Sequence, residues 1–511
     1  MNTRLMKEQR SLRPVFYATL AATALISLVF NGSDAAGFVI TTFAAGMVLM
    51  AASSFGNELH ARTMLLLLAQ PVPRRRIWLE KMRALGIKLA IGFAALLLCL
   101  FMFVTGEGRL EHFPLMALAM ASIPLFAFCS TPYFSLRSKN SIVAMASTAV
   151  VPGLMVMIVM WIDWFVTWRL GRPQLYFKSA AERHPVLLWS AVAVVALGYC
   201  IQLYRMGYKA FLNFQDVDSQ AKEVGLPAGV ERAIAPWLDK IMPGYTGPFA
   251  SLLRKELRLH HVSFILTSLS AIALPFLAVA WKLHPSDMLA GLMSMLLVLC
   301  VIGTPLITGI VTLAEERNLG VAAWQLTLPA SVRKQWAAKM LVAVFTCITL
   351  GIVFPAAMLA AGKWLFGMST AKIFSADPDE LLLVAACYAL LFNLVIYASS
   401  ISVNSVRAMV IVLGLLAGCG AAIALGIYGL GLAQIHFDVL EPISTVSLTI
   451  YFLLLSVLLN RLSFLNYRTA QLDNRRTWIQ LSAILLFAGI SPLVIEAMEF
   501  LVAGLLAHVE L

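Results

Sequence analysis

Charged residues are scarce in this 511-residue sequence: 13% are Asp, Glu, Lys or Arg, whereas 60% are hydrophobic. Soluble domains carry about twice that charged fraction. Hydrophobic runs of roughly 20 residues, enough to cross a bilayer as a helix, recur along the whole chain. These runs leave no room for a large soluble domain. The sequence therefore predicts an all-α, polytopic helical membrane protein.

The sequence also lacks the common motifs of enzymes and metal sites. It contains no GxxxxGK[ST] phosphate loop, no HExxH and no CxxC. Its seven cysteines all lie in apolar runs, and their number is odd. We interpret them as small packing residues rather than disulfide partners or metal ligands. We expect no catalytic residues, no metal and no cofactor in this chain, which is not predicted to be an enzyme.

Acidic residues are fewer than basic ones, 26 against 38, which gives a formal charge of +12. We attribute this excess to membrane topology and not to nucleic-acid binding, because Lys and Arg accumulate in cytoplasmic loops. Twelve spans are predicted at 15–31, 36–56, 83–105, 113–134, 141–163, 185–206, 262–281, 287–313, 341–362, 381–401, 407–434 and 445–464. A further apolar run covers 479–506.

The distribution of basic residues predicts the orientation. With a cytoplasmic N-terminus, 30 of the 38 Lys and Arg lie inside, and the outside set is Arg109, Arg169, Arg172, Lys178, Arg183, Lys282, Lys363 and Lys372. The opposite orientation would invert this ratio and break the positive-inside rule. We expect a multi-pass protein of a bacterial-type cytoplasmic membrane.

The two halves of the chain share a repeated segment. Glu58–Met82 aligns without a gap with Glu316–Met340, at an offset of 258 residues, with seven identities in 25 positions. The identities in the first copy are Glu58, Leu68, Pro71, Arg75, Trp78, Lys81 and Met82. Lys7-Glu8-Gln9-Arg10 likewise matches Lys255-Glu256-Leu257-Arg258 ahead of the first span of each half. Because each half has an even number of spans, the repeats are expected to be parallel.

This repeat divides the chain into four parts. Residues 1–206 form the first six-helix repeat, 207–252 a cytoplasmic linker, and 253–466 the second six-helix repeat. Residues 467–511 add an extra membrane helix or a hairpin bent near Gly489–Pro492. A pseudo-twofold axis along the membrane normal is expected to relate the two repeats.

The repeated segment lies between the second and third spans of each half. Lipid headgroups alone would explain its basic residues, at roughly 1 kcal/mol for each Lys or Arg near the surface. They do not explain a Glu, a Pro, a Trp and a Lys at one fixed spacing in both copies. The repetition favours docking to a partner that is itself present in two copies.

The segment resembles that of the membrane subunits of type-2, exporter-like ABC transporters. Their pattern is Glu, then Gly-Thr, an apolar turn, Pro, a basic residue and Lys. The first half matches it at Glu58, Thr63, Pro71, Arg75 and Lys81, and the second half at Glu316, Gly320, Pro329, Arg333 and Lys339. Arg62 stands in the Gly position of the first copy, and Val321 in the Thr position of the second.

The resemblance implies that each segment is a coupling helix docked on a cytoplasmic ATPase. Two copies of this ATPase would be separate chains that bind ATP and magnesium, and the chain would be the permease of an exporter. The coupling residues would be Glu58, Arg62, Thr63, Pro71, Arg75, Trp78, Lys81, Glu316, Arg317, Gly320, Pro329, Arg333, Trp336 and Lys339.

Other functions stay open on the sequence. A twelve-helix secondary transporter also has parallel repeats, but it usually needs charges at mid-membrane. An enzyme acting on lipid would need a His/Asp/Glu cluster, which we do not find. Glu58 and Glu316 have two interpretations: a structural pair with a residue such as Arg62 or Arg317, or a contact with the ATPase. On the second interpretation, replacement by Ala leaves the chain folded and weakens coupling. The substrate is not readable.

Overall fold

The structure, a computed structural model, describes most of the chain. The described residues are 3–29, 33–60, 63–106, 113–138, 141, 143–145, 147–148, 185–214, 248–283, 287–318, 325, 330–366, 378–432, 445–469 and 474–495. These residues form helices joined by short turns, and they contain no strand. The all-helical prediction is confirmed for this part of the chain.

Six helices are described before the predicted linker: α1 (Thr3–Val29), α2 (Ser33–His60), α3 (Met64–Leu68), α4 (Arg74–Gly106), α5 (Phe113–Ser138) and α6 (Pro185–Leu212). The later helices are α7 (Pro248–Leu259), α8 (His261–Leu283), α9 (Asp287–Ile310), α10 (Glu316–Asn318), α11 (Val332–Ile348), α12 (Phe354–Phe366), α13 (Pro378–Ser400), α14 (Ser405–Leu432), α15 (Thr445–Tyr467) and α16 (Asn474–Gly489). Two π-helical turns, Val311–Glu315 and Thr349–Val353, join α9 to α10 and α11 to α12.

Seven helical stretches of the described chain are long and apolar enough to cross a membrane: Arg74–Phe101, Val262–Val279, Leu296–Glu315, Val332–Trp364, Leu381–Ser400, Ser405–Ile423 and Thr445–Tyr467. They coincide with the third predicted span and with all six predicted spans of the second half. Predicted spans 15–31, 36–56, 113–134 and 185–206 fall within or largely within α1, α2, α5 and α6. Most of span 141–163 lies outside the described residues. By length and composition, the chain is a helical integral membrane protein.

Large apolar side chains cover the outer faces of several helices. Leu98 of α4, Val194 of α6, Val384 of α13 and Val457 of α15 are all more than half exposed. A soluble protein rarely exposes apolar surface of this extent. Helices that are apolar both inward and outward are typical of a lipid environment.

The described chain forms two compact units, and each unit takes segments from several parts of the sequence. Unit 1 comprises Met1–Tyr17, Phe43–Ile302 and Ile348–Met368, and unit 2 comprises Ala18–Thr42, Gly303–Cys347 and Ser369–Leu511. Leu274, Leu277, Ala278 and Met293 form a buried cluster in unit 1. Unit 2 has a cluster of Leu313, Trp336, Ala343, Cys347, Phe392, Ile396 and Tyr467. These units divide the chain differently from the predicted repeats, whose arrangement stays a prediction.

Candidate functional site

The predicted coupling segment of the first half is a short helix followed by a turn. Helix α3 has five residues, and Pro71 and Pro73 follow it. A proline has no N–H with which to continue a helix. The Pro73 carbonyl instead accepts a hydrogen bond from the Arg76 N–H at 2.9 Å, in the first turn of α4. The prolines therefore separate α3 from α4. The loop that contains them precedes the basic first turn of α4.

Lys81 of α4 is buried and joins two further helices. Its Nζ lies 2.9 Å from Glu8 Oε2 of α1 and 2.9 Å from Glu58 Oε1 of α2. The same group donates a hydrogen bond to the Ser54 carbonyl at 3.2 Å, and the side chain is only 1% exposed. One ammonium group thus connects α1, α2 and α4 at the base of the loop that contains α3.

The Glu8–Lys81–Glu58 cluster contains more carboxylate than ammonium. Burial raises the pKa of the Glu58 carboxyl above its ordinary value of 4.5, while the Lys81 ammonium lowers it. Glu8 adds to the increase because a second negative charge nearby opposes ionisation. The effect of burial is the largest of these, so Glu58 takes up a proton more readily than an exposed glutamate.

Trp78, three residues before Lys81, anchors α4 to α6. Its ring centroid lies 5.7 Å from that of Tyr204, 6.0 Å from that of Tyr208 and 5.4 Å from that of Phe211. The indole N–H donates a hydrogen bond to the Tyr204 hydroxyl at 3.1 Å. Aromatic packing with a satisfied indole N–H fixes the ring in place, and with it the start of α4.

The second copy repeats both contacts within unit 2. Lys339 Nζ lies 2.6 Å from Glu316 Oε1, and the two side chains are 0% and 2% exposed. The Trp336 ring packs on Phe464 and Tyr467 of α15 at 5.8 and 5.4 Å. In each copy, the Lys pairs with the Glu that lies 23 residues earlier, and the Trp packs on rings of the helix that contains the sixth predicted span of its half.

Arg317 holds three backbone carbonyls of unit 2. Its guanidinium donates hydrogen bonds to the Ser400 carbonyl, to the Ser402 carbonyl at 3.3 Å and to the Asn466 carbonyl at 3.3 Å. Burial lowers the pKa of the Arg317 guanidinium below its ordinary value, and the adjacent Glu316 carboxylate acts against that change. The residue therefore ties α10 to the turn between α13 and α14 and to the end of α15.

A serine hydroxyl is inserted at the π-helical turn before Glu316. Ser399 of α13 accepts a hydrogen bond from the Ala314 N–H at 2.9 Å and donates one to the Ile310 carbonyl at 2.9 Å. A side chain that enters the i→i−4 ladder in this way distorts a helix locally, and single π turns are frequent at functional sites. The turn immediately precedes Glu316 and Arg317.

The structure brings several predicted coupling residues together and leaves others apart. Glu58 with Lys81 and Glu316 with Lys339 are in contact. Thr63, Pro71, Arg75 and Arg333 are exposed on the surface. Arg62, Gly320 and Pro329 lie outside the described residues. Glu316 contacts Lys339, a partner other than the neighbouring arginine that the sequence suggested.

Three contributors to the site were not predicted. Glu8 was visible in the repeated Lys-Glu element, but its distance from Lys81 in the sequence gives no sign of contact. Ser399 carries no sequence signal that sets it apart from other helical serines. Asn466 contributes through its carbonyl, which every residue has. These contacts depend on tertiary packing.

No protein-family model matches the chain, and searches of curated proteins and of solved structures found no match either. Within the described residues, no group of three His, Cys, Asp or Glu side chains is placed to hold a metal ion. Function must therefore be inferred from the repeated Glu–Lys geometry and from the surface beside it.

Proposed function

We propose that this chain is the permease subunit of an ATP-driven exporter whose two ATPases are separate chains. The observation that carries the proposal is the pair of buried Lys–Glu bridges, Lys81–Glu58 and Lys339–Glu316. Each bridge closes the base of a loop between two predicted spans. The resemblance to type-2 ABC permeases supplies the expected partner, with ATP and magnesium bound there.

A coupling loop must transmit motion from a docked partner to the membrane helices. In unit 1, the Lys81 ammonium joins α1, α2 and α4, so a displacement of the loop would act on all three helices. In unit 2, the Lys339–Glu316 pair and the Arg317 hydrogen bonds connect α10 to α11, α15 and the α13–α14 turn. Buried, hydrogen-bonded networks of this kind are rigid, which supports a mechanical role.

The exposed face of the first loop suits a protein partner. Leu66 of α3 is 70% exposed, and Pro71 and Arg75 are exposed beside it. An apolar anchor next to an arginine is a combination that is enriched in protein interfaces. The partner proposed for this surface is the ATPase.

The distribution of charge favours ATP coupling over ion coupling. No carboxylate lies in the middle of any of the seven candidate spans of the described chain. Secondary transporters usually place ionisable groups near the midplane for ion coupling. An external source of energy fits the chain better.

A substitution that introduces one charge at the docking surface tests this proposal. The partner is to be sought as an ATPase with a phosphate loop encoded in the neighbouring open reading frame, and Leu66→Glu should abolish its co-purification with this chain, because a carboxylate replaces an apolar anchor. The unfolding temperature should not change, since the Leu66 side chain is already exposed on the surface. Trp478→Glu is the matched control: Trp478 is 70% exposed near the start of α16, as exposed as Leu66 and outside the coupling segment. Retained binding by Leu66→Glu would contradict docking at α3.

A further inference from the structure

A pocket of about 330 Å³ opens between the N-terminal part of α1 and the start of α4, within unit 1. Its lining residues are Leu5, Pro73, Arg75, Arg76, Leu79, Glu80 and Arg83. Three guanidinium groups and one carboxylate thus meet three apolar side chains in one small space.

The pocket has a net positive charge that the protein only partly neutralises. Arg76 Nε lies 3.2 Å from Glu80 Oε1, so this carboxylate is paired within the wall. Arg75 and Arg83 are exposed, and neither has an ion-pair partner among the described residues. Guanidinium groups bind phosphate with paired, charge-assisted hydrogen bonds. The geometry selects an anion, and phosphate fits this chemistry.

The repeat does not account for this pocket. At the offset of 258 residues, Lys334 replaces Arg76, Ala337 replaces Leu79, Ala338 replaces Glu80 and Leu341 replaces Arg83. The Glu, Pro, Trp and Lys of the coupling pattern recur in both halves. Glu80 and Arg83, in contrast, are charged in the first half and replaced by apolar residues in the second. These residues therefore need an explanation separate from docking of a twofold partner.

The position of the pocket points to a lipid source for the phosphate. α4 contains the candidate membrane span Arg74–Phe101. Its charged residues all lie in the first half of the helix, between Arg74 and Lys88, and the remaining residues through Gly106 are uncharged. The pocket lies on this charged part, next to the apolar part. Leu5, Pro73 and Leu79 offer apolar contact beside the arginines. We propose that the pocket binds the phosphate of an anionic phospholipid headgroup at the membrane surface.

The experiment compares phosphatidylglycerol and phosphatidylcholine of equal chain length on the delipidated full chain, with binding measured by native mass spectrometry. Wild type should prefer phosphatidylglycerol. Arg83→Gln should weaken that binding about five-fold, as expected for one basic residue near a lipid surface. Arg83→Lys should retain most of it. Arg333→Gln is the control, because Arg333 is exposed at the start of α11 and corresponds to Arg75 in the repeat.

Inorganic phosphate and glycerol 3-phosphate distinguish the two sources of the phosphate group. If neither anion displaces phosphatidylglycerol at millimolar concentration, the lipid site is supported. Displacement that is lost in Arg83→Gln would assign the pocket to a soluble phosphate and overturn the lipid proposal. Equal phosphatidylglycerol binding by wild type, Arg83→Gln and Arg333→Gln would overturn the site itself. Arg83 is not among the coupling residues, so these outcomes are independent of ATPase docking.

Discussion

Lys81 and Lys339 are buried ammonium groups, and a buried charge is costly unless an opposite charge and hydrogen bonds surround it. Lys81 has two carboxylates and a carbonyl within 3.2 Å, and Lys339 has Glu316 at 2.6 Å. These contacts explain why both residues of the pair recur in the repeat. A structural role of Glu58 and Glu316 therefore competes directly with a role at the ATPase.

Lys339→Met is expected to lower the free energy of unfolding by about 3–5 kcal/mol, because it leaves the buried Glu316 carboxylate without the ammonium beside it. Adding Glu316→Gln should restore part of that loss, since an uncharged pair needs no compensation. Lys334→Met is the control, because Lys334 is exposed on the same helix. Denaturation in detergent measures all four proteins. Lys339→Met as stable as wild type would show that the ion pair does not support the fold.

Glu58 gives the stability of the protein a defined pH dependence. Its folded pKa lies above the ordinary value of 4.5, so between these two values the folded state binds more protons than the unfolded state. The contribution of Glu58 to the free energy of unfolding therefore falls as the pH rises through this window. Glu58→Gln should remove this component. If the difference in the free energy of unfolding between wild type and Glu58→Gln does not vary with pH, the proposed protonation of Glu58 is wrong.

At the residue scale, the sequence singled out Glu58, Lys81, Glu316 and Lys339 but did not predict which of them touch. The recurrence of Glu58 with Lys81, and of Glu316 with Lys339, was visible from the alignment alone. Their pairing was not, because 23 residues that contain a loop separate each pair. The reach of Glu8 to Lys81 depends in turn on how α1 packs on α4.

Helix α9 approaches α13 closely in unit 2 because Gly309 has no side chain. A Cβ atom at this position would lie 2.7 Å from Val395 Cγ1 and 3.0 Å from Val395 Cβ. This close approach brings the Ile310 carbonyl and the Ala314 N–H to the Ser399 hydroxyl. The π-helical turn, and with it the position of Glu316, depends on the packing of these two helices.

Gly309→Ala should therefore destabilise the protein by about 1–3 kcal/mol through overpacking. Val395→Ala in the same chain should recover part of the loss by making space. Gly414→Ala serves as the control, because nothing lies within 4 Å of a Cβ at that helical position. Thermal unfolding in detergent is the measurement. Equal unfolding temperatures for Gly309→Ala and Gly414→Ala would refute close packing at Gly309.

Helix positions were predicted better than helix ends. The spans predicted to start at 83 and 341 correspond to helices that begin at Arg74 and Val332, because charged residues outside the apolar run continue the helix. Hydropathy identifies only the apolar part of each helix. The π-helical turns have no hydropathy signal, since one inserted hydroxyl creates the first of them.

At the scale of the whole molecule, the all-helical membrane class followed from composition, whereas the arrangement of segments did not. Unit 1 combines Met1–Tyr17 with Ile348–Met368, and unit 2 combines Ala18–Thr42 with the C-terminal part. Contacts between helices that lie far apart in the sequence define these units. The helices carry similar apolar side chains, so the sequence alone does not show which helices pack against each other. The parallel repeat and the cytoplasmic N-terminus stay predictions.

ATP hydrolysis by the reconstituted chain tests the permease proposal most directly. The purified chain in liposomes should hydrolyse no ATP, because its sequence has no phosphate loop. Addition of the ATPase identified in the neighbouring reading frame should produce hydrolysis above that of the ATPase alone, and Leu66→Glu should remove this increase while Trp478→Glu retains it. Hydrolysis by the chain without a co-purifying protein, or an ATPase unaffected by the chain, would contradict the proposal.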